Sequence, residues 1–318
     1  MPATQERPIA LFHEHPDWFR PLFTELERRG TPFVRIAAAQ HGYDPDQPPP
    51  YSLVFNRMSP SAYLRGAGNA IFYTQSWLDH LERSGVRVVN GRAAYGVETS
   101  KAVQINLLRR LGLPHPRTRV INHASQAPAA AEGLRFPLAV KPNIGGSGAG
   151  VRRFDTPQAL EAAAREGFDL GIDSVALVQE FVPAEEGRIT RVEVLGGRFL
   201  YGIRIYTPGD TFDLCPADVC QRVDGAELER AACPVDAPKN RLRVEGYTPP
   251  AEIVEQVERI MAEAGIEVGG VEYFVDARDG KHYFYDVNAL SNFVADAPRV
   301  VGFDPFERLA DYLEAEAR

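Results

Sequence analysis

The apolar residues of this chain fall into short bursts at two spacings, and the spacing assigns the elements. Runs at residues 9–12, 33–36, 53–56 and 86–89 have the length of strands, whereas residues 18–29 and 72–83 mix apolar and charged side chains at helical spacing. With a Pro-rich loop at 44–50, this order predicts a small α/β lobe that ends near Asn90.

The grammar then changes. Thr99 or Ser100 can cap a helix running to Leu111, which Gly112, Pro114 and Pro116 stop. A strand through Val120, a short Ala-rich helix, a strand at 138–142, a Gly-rich loop, a strand at 151–154 and a helix at 156–165 make a compact α+β unit. Strands follow at 175–182, 190–195 and 198–205, and then a polar, irregular stretch at 208–246. In the helix predicted for 250–264, Ile253, Val254, Val257, Ile260 and Met261 form one buried stripe. Strands at 268–275 and 283–288 close the pattern as a hairpin around the Asp279-Gly280 turn.

Composition narrows the function. With 44% hydrophobic and 25% charged residues, 318 residues suffice for two or three lobes with formed cores. A net charge of -8 argues against a nucleic-acid partner, since phosphate-binding surfaces carry an excess of Lys and Arg. Cys215, Cys220 and Cys233 are odd in number and lack a zinc spacing, so reduced thiols are expected. The first ten residues contain no apolar signal region, and no apolar run is long enough to span a bilayer. The expectation is a soluble, cytoplasmic protein without a membrane partner.

Candidate chemistry sits at three places. Lys141-Pro142-Asn143-Ile144-Gly145-Gly146-Ser147-Gly148-Ala149-Gly150 lies between two strands, where glycines let backbone N–H groups approach phosphate oxygens and the lysine adds a point charge. A plain hairpin tip fits the same residues. Val178-Gln179-Glu180-Phe181-Val182 is an apolar strand with two polar groups, which suits either an adenine-binding edge or an exposed strand face. In the last hairpin Asp286 and Asn288 share a face, and a turn centred on Asp279 sets Glu272 directly opposite Asp286. Opposed carboxylates need a neutralising cation, and Mg²⁺, which takes oxygen ligands and bridges to phosphates, is suited to the task. Asp276 is the substitute ligand if the register slips. Lys101, Lys141, Arg191 and Arg204 add cations on otherwise apolar or amphipathic elements.

Taken in order, Lys101, Lys141 with its Gly-rich loop, the Gln-Glu-Phe-Val strand, Arg191, Arg204, Glu272 and Asp286-Val287-Asn288 resemble the ATP-grasp superfamily. Within it the chain is most similar to the glutamate-adding ligases that modify a ribosomal protein, and more distantly to D-alanine-D-alanine ligase and glutathione synthetase. The resemblance runs from about Val86 to Asp296 and is densest at Lys101-Ala102-Val103-Gln104-Ile105-Asn106-Leu107-Leu108, Ala139-Val140-Lys141-Pro142 and the strand at 178–182. It implies an α/β (α+β) ATP-grasp fold. An N-terminal Rossmann-like lobe would span 1–92, a linker helix and lid 93–183, and a C-terminal ATP-grasp subdomain 184–318.

The resemblance also implies roles. Lys101 and Lys141 would hold the ATP phosphates while Gly146, Ser147 and Gly148 close over them. Gln179, Glu180, Phe181 and Val182 would form the adenine edge, and Glu185 or Glu186 would bind ribose. Glu272, Asp286 and Asn288 would hold Mg²⁺, with Mn²⁺ as the alternative ion. Arg204 and Arg191 would face the transferring phosphoryl group. His13 and Arg57, at strand ends of the first lobe, would contact substrate, Arg57 as a bidentate grip on a carboxylate. The close pair His13 and His15 supplies too few ligands for zinc.

The implied activity is ADP-forming ligation of a small carboxylate to an amine through an acyl phosphate, with no nucleophilic Ser or Cys required. A small-molecule kinase and a non-catalytic ATP-binding protein are the alternatives. The sequence leaves the oligomeric state open, a homo-oligomer included. Ile189 replaces an acidic residue that relatives often carry two before Arg191, and Asp286 replaces the usual Glu. Ala289-Leu290-Ser291-Asn292-Phe293 stands where Pro-Gly is usual, so the acceptor end of the pocket is expected to differ.

Overall fold

The computed structural model describes residues 7–146, 148–206 and 243–318; Ser147, the three cysteines and most of the 208–246 stretch lie outside the described residues. In the first lobe β1 (Ile9–His13), α1 (Arg20–Arg29), β2 (Phe33–Ala37), β3 (Leu53–Arg57), α2 (Gly68–Arg83) and β4 (Arg87–Val89) follow one another. The strands form a parallel sheet in the order β2-β1-β3-β4. β1 and β3 are buried along their whole length, their apolar residues and the polar His13, Asn56 and Arg57 at their ends alike, as befits central strands covered on both faces. α2 begins at Gly68, a turn before the predicted start at 72; Gly68 and Asn69 are weak helix formers, but Ala70 and Ile71 are drawn into the core.

Next come α3 (Arg92–Glu98), which the pattern did not predict, and α4 (Lys101–Arg110). Ser100, not Thr99, is the N-cap of α4, its hydroxyl accepting from the Val103 N–H at 3.3 Å. β5 (Thr118–Ile121), α5 (Ala127–Ala130), β6 (Leu138–Pro142), β7 (Arg152–Phe154), α6 (Pro157–Glu166) and β8 (Ala176–Glu180) complete a second unit. Its antiparallel sheet runs β5-β8-β6-β7. Leu160 and Ala163 of α6 pack on Leu138, Val140 and Val178 of that sheet.

β9 (Arg188–Leu195), β10 (Arg198–Tyr206), β11 (Arg243–Tyr247), α7 (Ala251–Ala264), β12 (Val268–Val275), β13 (His282–Asn288), α8 (Ala297–Val301) and α9 (Pro305–Glu316) make the third. Its antiparallel sheet has the order β11-β10-β9-β12-β13. β11 falls in the stretch read as irregular, and α8 and α9 were not predicted. One face, with Val192, Val194, Val271 and Val287, packs on the apolar stripe of α7 and on Ala94, Val97, Leu107 and Leu108 of α3 and α4. Those two helices therefore share a core with the third sheet rather than with the lid sheet. The other face, with Ile189, Ile203 and Phe274, joins Leu22 and Leu26 of α1 and Leu309 and Leu313 of α9. No helix among the described residues is long and apolar enough to cross a membrane.

Candidate active site

A single cleft is bordered by all three units, with the lid sheet on one side and the carboxylate-bearing face of the third sheet on the other. Its floor is one transverse row of the third sheet. Arg191 on β9 pairs with Glu272 on β12, and Glu272 pairs with Asp286 on β13, so the three side chains project from one face in line. Asn288 stands two residues further along that face, opposite Gly270. The predicted register is therefore the observed one, apart from a bulge between Glu272 and Tyr273. The bulge leaves Tyr285 as an extra residue beside Asp286, and its hydroxyl donates to Glu272 Oε2 at 2.5 Å.

The edge strand β13 is covered by α4. The Gln104 carboxamide donates to the Val287 carbonyl at 2.8 Å and accepts from the Val287 N–H at 3.2 Å, standing in for a neighbouring strand. This clamp, one turn along from Lys101, sets the lysine ammonium 2.6 Å from Asp286 Oδ1. The lid is tied to the same helix start. Asn143, two residues after Lys141, accepts from the Ser100 hydroxyl at 3.0 Å and the Ala102 N–H at 2.9 Å through its side-chain oxygen. Lys141 is 9% exposed. Burial, with the nearby Lys101 charge, lowers its pKa to about 7 against the opposing pull of Asp286.

The Gly-rich loop follows. Gly146 lies against Ser61 of the first lobe, where a Cβ would come 3.3 Å from the serine Cβ. Gly150 has φ +74°, and a Cβ there would meet Pro142 Cγ at 2.8 Å, so the loop's return is restricted to glycine both conformationally and sterically. Gly146 and Gly148 line the cleft. Ser147 lies outside the described residues.

Gln179, Glu180, Phe181 and Val182 also line it, as the resemblance implies. The polar side chains of the first two turn to the lid itself. Gln179 donates to the Thr118 hydroxyl at 2.8 Å, and Glu180 accepts the Arg135 N–H at 2.9 Å. Val182 is packed in the core of the third sheet, so this segment is also where the lid joins it.

Electrostatics on the floor are balanced within the protein. For Asp286 burial works to raise the pKa, but Lys101, Lys141 and Arg191 overcome it and hold the carboxyl below its ordinary value. For Lys101 the same burial is overcome by Asp286, and the ammonium stays above its ordinary value. Glu272, buried beside Asp286, is held above the carboxylate norm even though Arg191 donates to it at 2.9 Å. Opposed carboxylates are thus neutralised by cationic side chains, an answer the sequence reading assigned to a metal ion alone.

The donor set nonetheless fits Mg²⁺. Asp286, Asn288 and Glu272 offer hard oxygens on one face, and the buried Asn288 Nδ2, without a hydrogen-bond partner among the described residues, is a donor open to a phosphate oxygen beside the ion. Among those residues no group of three or more His, Cys, Asp or Glu forms a metal cage. An ion here would complete its shell with phosphate oxygens and water, as Mg²⁺ does.

Several expected site residues lie elsewhere. Arg204 pairs with Thr190, the row next to Arg191, so its side chain points to the opposite face, where its guanidinium stacks 3.6 Å from the Tyr247 ring centroid. It does not face the carboxylates. Arg57 is 2% exposed, lies over the Phe19 and Phe55 rings, and donates to the Ser291 carbonyl and to Asn292 Oδ1. It ties the first lobe to the segment after β13 rather than opening onto the cleft. His13 is buried against Phe19 and Phe23, and burial lowers its pKa. Glu185 and Glu186 both pair with Arg188, and neither lines the cleft. Asp276 is committed to Arg278, with contacts of 2.7 and 2.8 Å.

The structure adds residues that the sequence reading passed over. Glu98 lines the cleft beside Lys101 and accepts the Ala289 N–H; burial raises its pKa to about 7. Its one signal was position, just before the α4 cap. Trp18, Ser59, Ser61 and Asn292 border the end of the cleft near the first lobe. Ser59 and Ser61 follow the strand end that carries Arg57, and Asn292 falls in the 289–293 stretch expected to alter the acceptor end, so the sequence pointed to both segments; Trp18 had no such signal.

The comparisons agree with this geometry. Residues 98–212 match the model of the RimK-like ATP-grasp domain. A D-alanine–D-alanine ligase of Ectopseudomonas mendocina is 29% identical over 215 residues, 64% of this chain and 62% of that relative. A protein of Teredinibacter turnerae named "Probable alpha-L-glutamate ligase" is 29% identical over 163 residues, 51% of each chain. The chain therefore spans less than two thirds of these curated relatives. Among solved structures, the ATP-grasp ligase PsnB complexed with a minimal precursor superposes with a TM-score of 0.68 at 19% identity, covering 98% of this chain and 100% of that one. D-alanyl-alanine synthetase A from Vibrio cholerae gives 0.69 at 14% identity, covering 99% of each. The resemblance read from the motifs is borne out: over residues 98–212 this chain matches the RimK-like ATP-grasp domain, and it has the ATP-grasp fold.

Proposed function

We propose that this protein is an ATP- and Mg²⁺-dependent, ADP-forming ligase that joins a small, amino-acid-like carboxylate to an amine. The observation that carries the reading is the convergence on one cleft of Lys101, Lys141, the Gly-rich loop, the 179–182 edge, and the Arg191, Glu272, Asp286 row. The names of the relatives, a D-alanine–D-alanine ligase and an alpha-L-glutamate ligase, support amide-bond chemistry.

In this reading Lys101 and Lys141 bind and orient the nucleotide phosphates, and the loop 145–150 covers them with backbone N–H groups and excludes water. Bound at Glu272, Asp286 and Asn288, Mg²⁺ (or Mn²⁺ in its place) supplies charge neutralisation for phosphoryl transfer. Arg191 faces the transferring group and stabilises charge as the substrate carboxylate becomes an acyl phosphate. An amine then displaces phosphate. The substrate end would be formed by Trp18, Ser59, Ser61, Glu98 and Asn292, in place of the His13 and Arg57 first expected.

The test is a screen of amino acids and small acids in pairs for Mg²⁺-dependent release of ADP and phosphate, with mass spectrometry of the product. An amide product with one ADP and one phosphate per turnover is expected. A stable phosphorylated product without free phosphate would show a kinase instead, and absence of ADP formation across the panel would sink the ligase reading.

A further inference from the structure

Arg191 is 3% exposed, and two carboxylates hold it. Its Nη1 donates to Glu272 Oε1 at 2.9 Å, and its Nε donates to Glu193 Oε1 at 2.6 Å. The two acids are placed differently. Glu272 lines the cleft and belongs to the oxygen set for the ion, whereas Glu193, 1% exposed, does not line it. Glu193 is two residues from Arg191 on the same strand face, and the equivalent position on the other side is the buried, apolar Ile189. Room for the pair comes from Gly270, opposite Glu193: a Cβ there would lie 2.9 Å from Glu193 Oε2 and 3.0 Å from both Nε and Nη2 of Arg191.

We propose that Glu193 is a positioning residue for Arg191, fixing the guanidinium toward the terminal phosphate when Glu272 turns to the metal ion. The inference rests on the ligase reading, in which Arg191 faces the transferring phosphoryl group. The physical logic is charge accounting. A buried guanidinium that shares its hydrogen-bonded cleft-side carboxylate with an ion has that contact weakened on loading, and a second, sheltered carboxylate keeps it neutralised and aimed. The Nε contact leaves the Nη edge of the guanidinium, which already reaches Glu272, directed at the cleft.

The experiment compares binding of AMPPNP and of ADP, each with Mg²⁺, by titration calorimetry for the wild type, Glu193→Gln and Gly270→Ala. Glu193→Gln keeps the shape and removes the charge; Gly270→Ala keeps every charge and displaces the contact. In both variants the extra affinity for AMPPNP over ADP should fall about 10-fold, the loss of one charge-assisted contact, while ADP affinity stays within about 2-fold of the wild type. A purely structural role would lower both affinities together, and that result in a folded variant overturns the proposal. So does an unchanged AMPPNP preference. Should Glu193→Gln fail to fold, Gly270→Ala decides alone. A wild type that binds ADP and AMPPNP equally overturns the role given to Arg191 while leaving nucleotide binding intact; one that binds neither overturns the ligase reading itself.

Discussion

The Lys101 ammonium lies 2.6 Å from the Asp286 carboxylate, 185 residues further along the chain. In the proposed function these partners must separate, the lysine to a phosphate and the carboxylate to an ion. Asp286→Asn leaves Lys101 without its buried counter-charge, and the ligand-free protein should lose about 3 kcal/mol of stability. A bound nucleotide restores an anion to the lysine, so the rise in Tm caused by ADP without metal should exceed that of the wild type. Added Mg²⁺ should then bring little further increase. Thermal unfolding with and without ADP and Mg²⁺ checks this, and an unchanged Mg²⁺ increment would remove Asp286 from the metal set.

In the proposed function Lys141 should make nucleotide binding a proton-uptake reaction. Burial lowers its pKa from 10.5 to about 7 in the free protein, so at pH 8 the amine is mostly neutral, whereas at pH 6 it is already charged. A polyphosphate favours the charged form and raises the pKa again. Binding at pH 8 should therefore take up on the order of one proton at this site, and binding at pH 6 almost none. Calorimetry in two buffers of different ionisation enthalpy reads the number directly, and Lys141→Arg should remove the share of the uptake that belongs to this site.

Gly150→Ala should weaken nucleotide binding with only a modest loss of stability. The residue has φ +74°, and an added methyl would meet Pro142 Cγ at 2.8 Å, so the loop must move away from its place over the cleft. Strain of about 1–2 kcal/mol at the backbone is expected, with about a 10-fold loss of ATP-analogue affinity. Fluorescence titration against the wild type measures it.

Arg204→Ala tests the face assignment. The side chain stacks on Tyr247, across the sheet from Asp286, so its loss should cost about 1 kcal/mol of stability and leave Mg²⁺-nucleotide affinity within about 2-fold. A loss of Mg²⁺-nucleotide affinity of about 10-fold or more would place the guanidinium in the cleft after all.

The sequence by itself determined what local spacing can carry. Short apolar runs set the strands of the first lobe, the stripe from Ile253 to Met261 set α7, and the Asp279-Gly280 turn set Glu272 opposite Asp286. Those are short-range facts, decided by side-chain periodicity and turn chemistry. What only the tertiary structure decided is which faces meet. Arg191 and Arg204 look alike in sequence, and strand register sends them to opposite sides of one sheet. Arg57 and His13 sit at strand ends that suggest a ligand site, yet the segment after β13 and the aromatic rings of the first lobe close over them. Glu193 and Gly270 were unremarked in sequence because their meaning lies in a cross-strand contact. A strand fixes the period of its side chains, but only its neighbours fix which half of them faces the cleft.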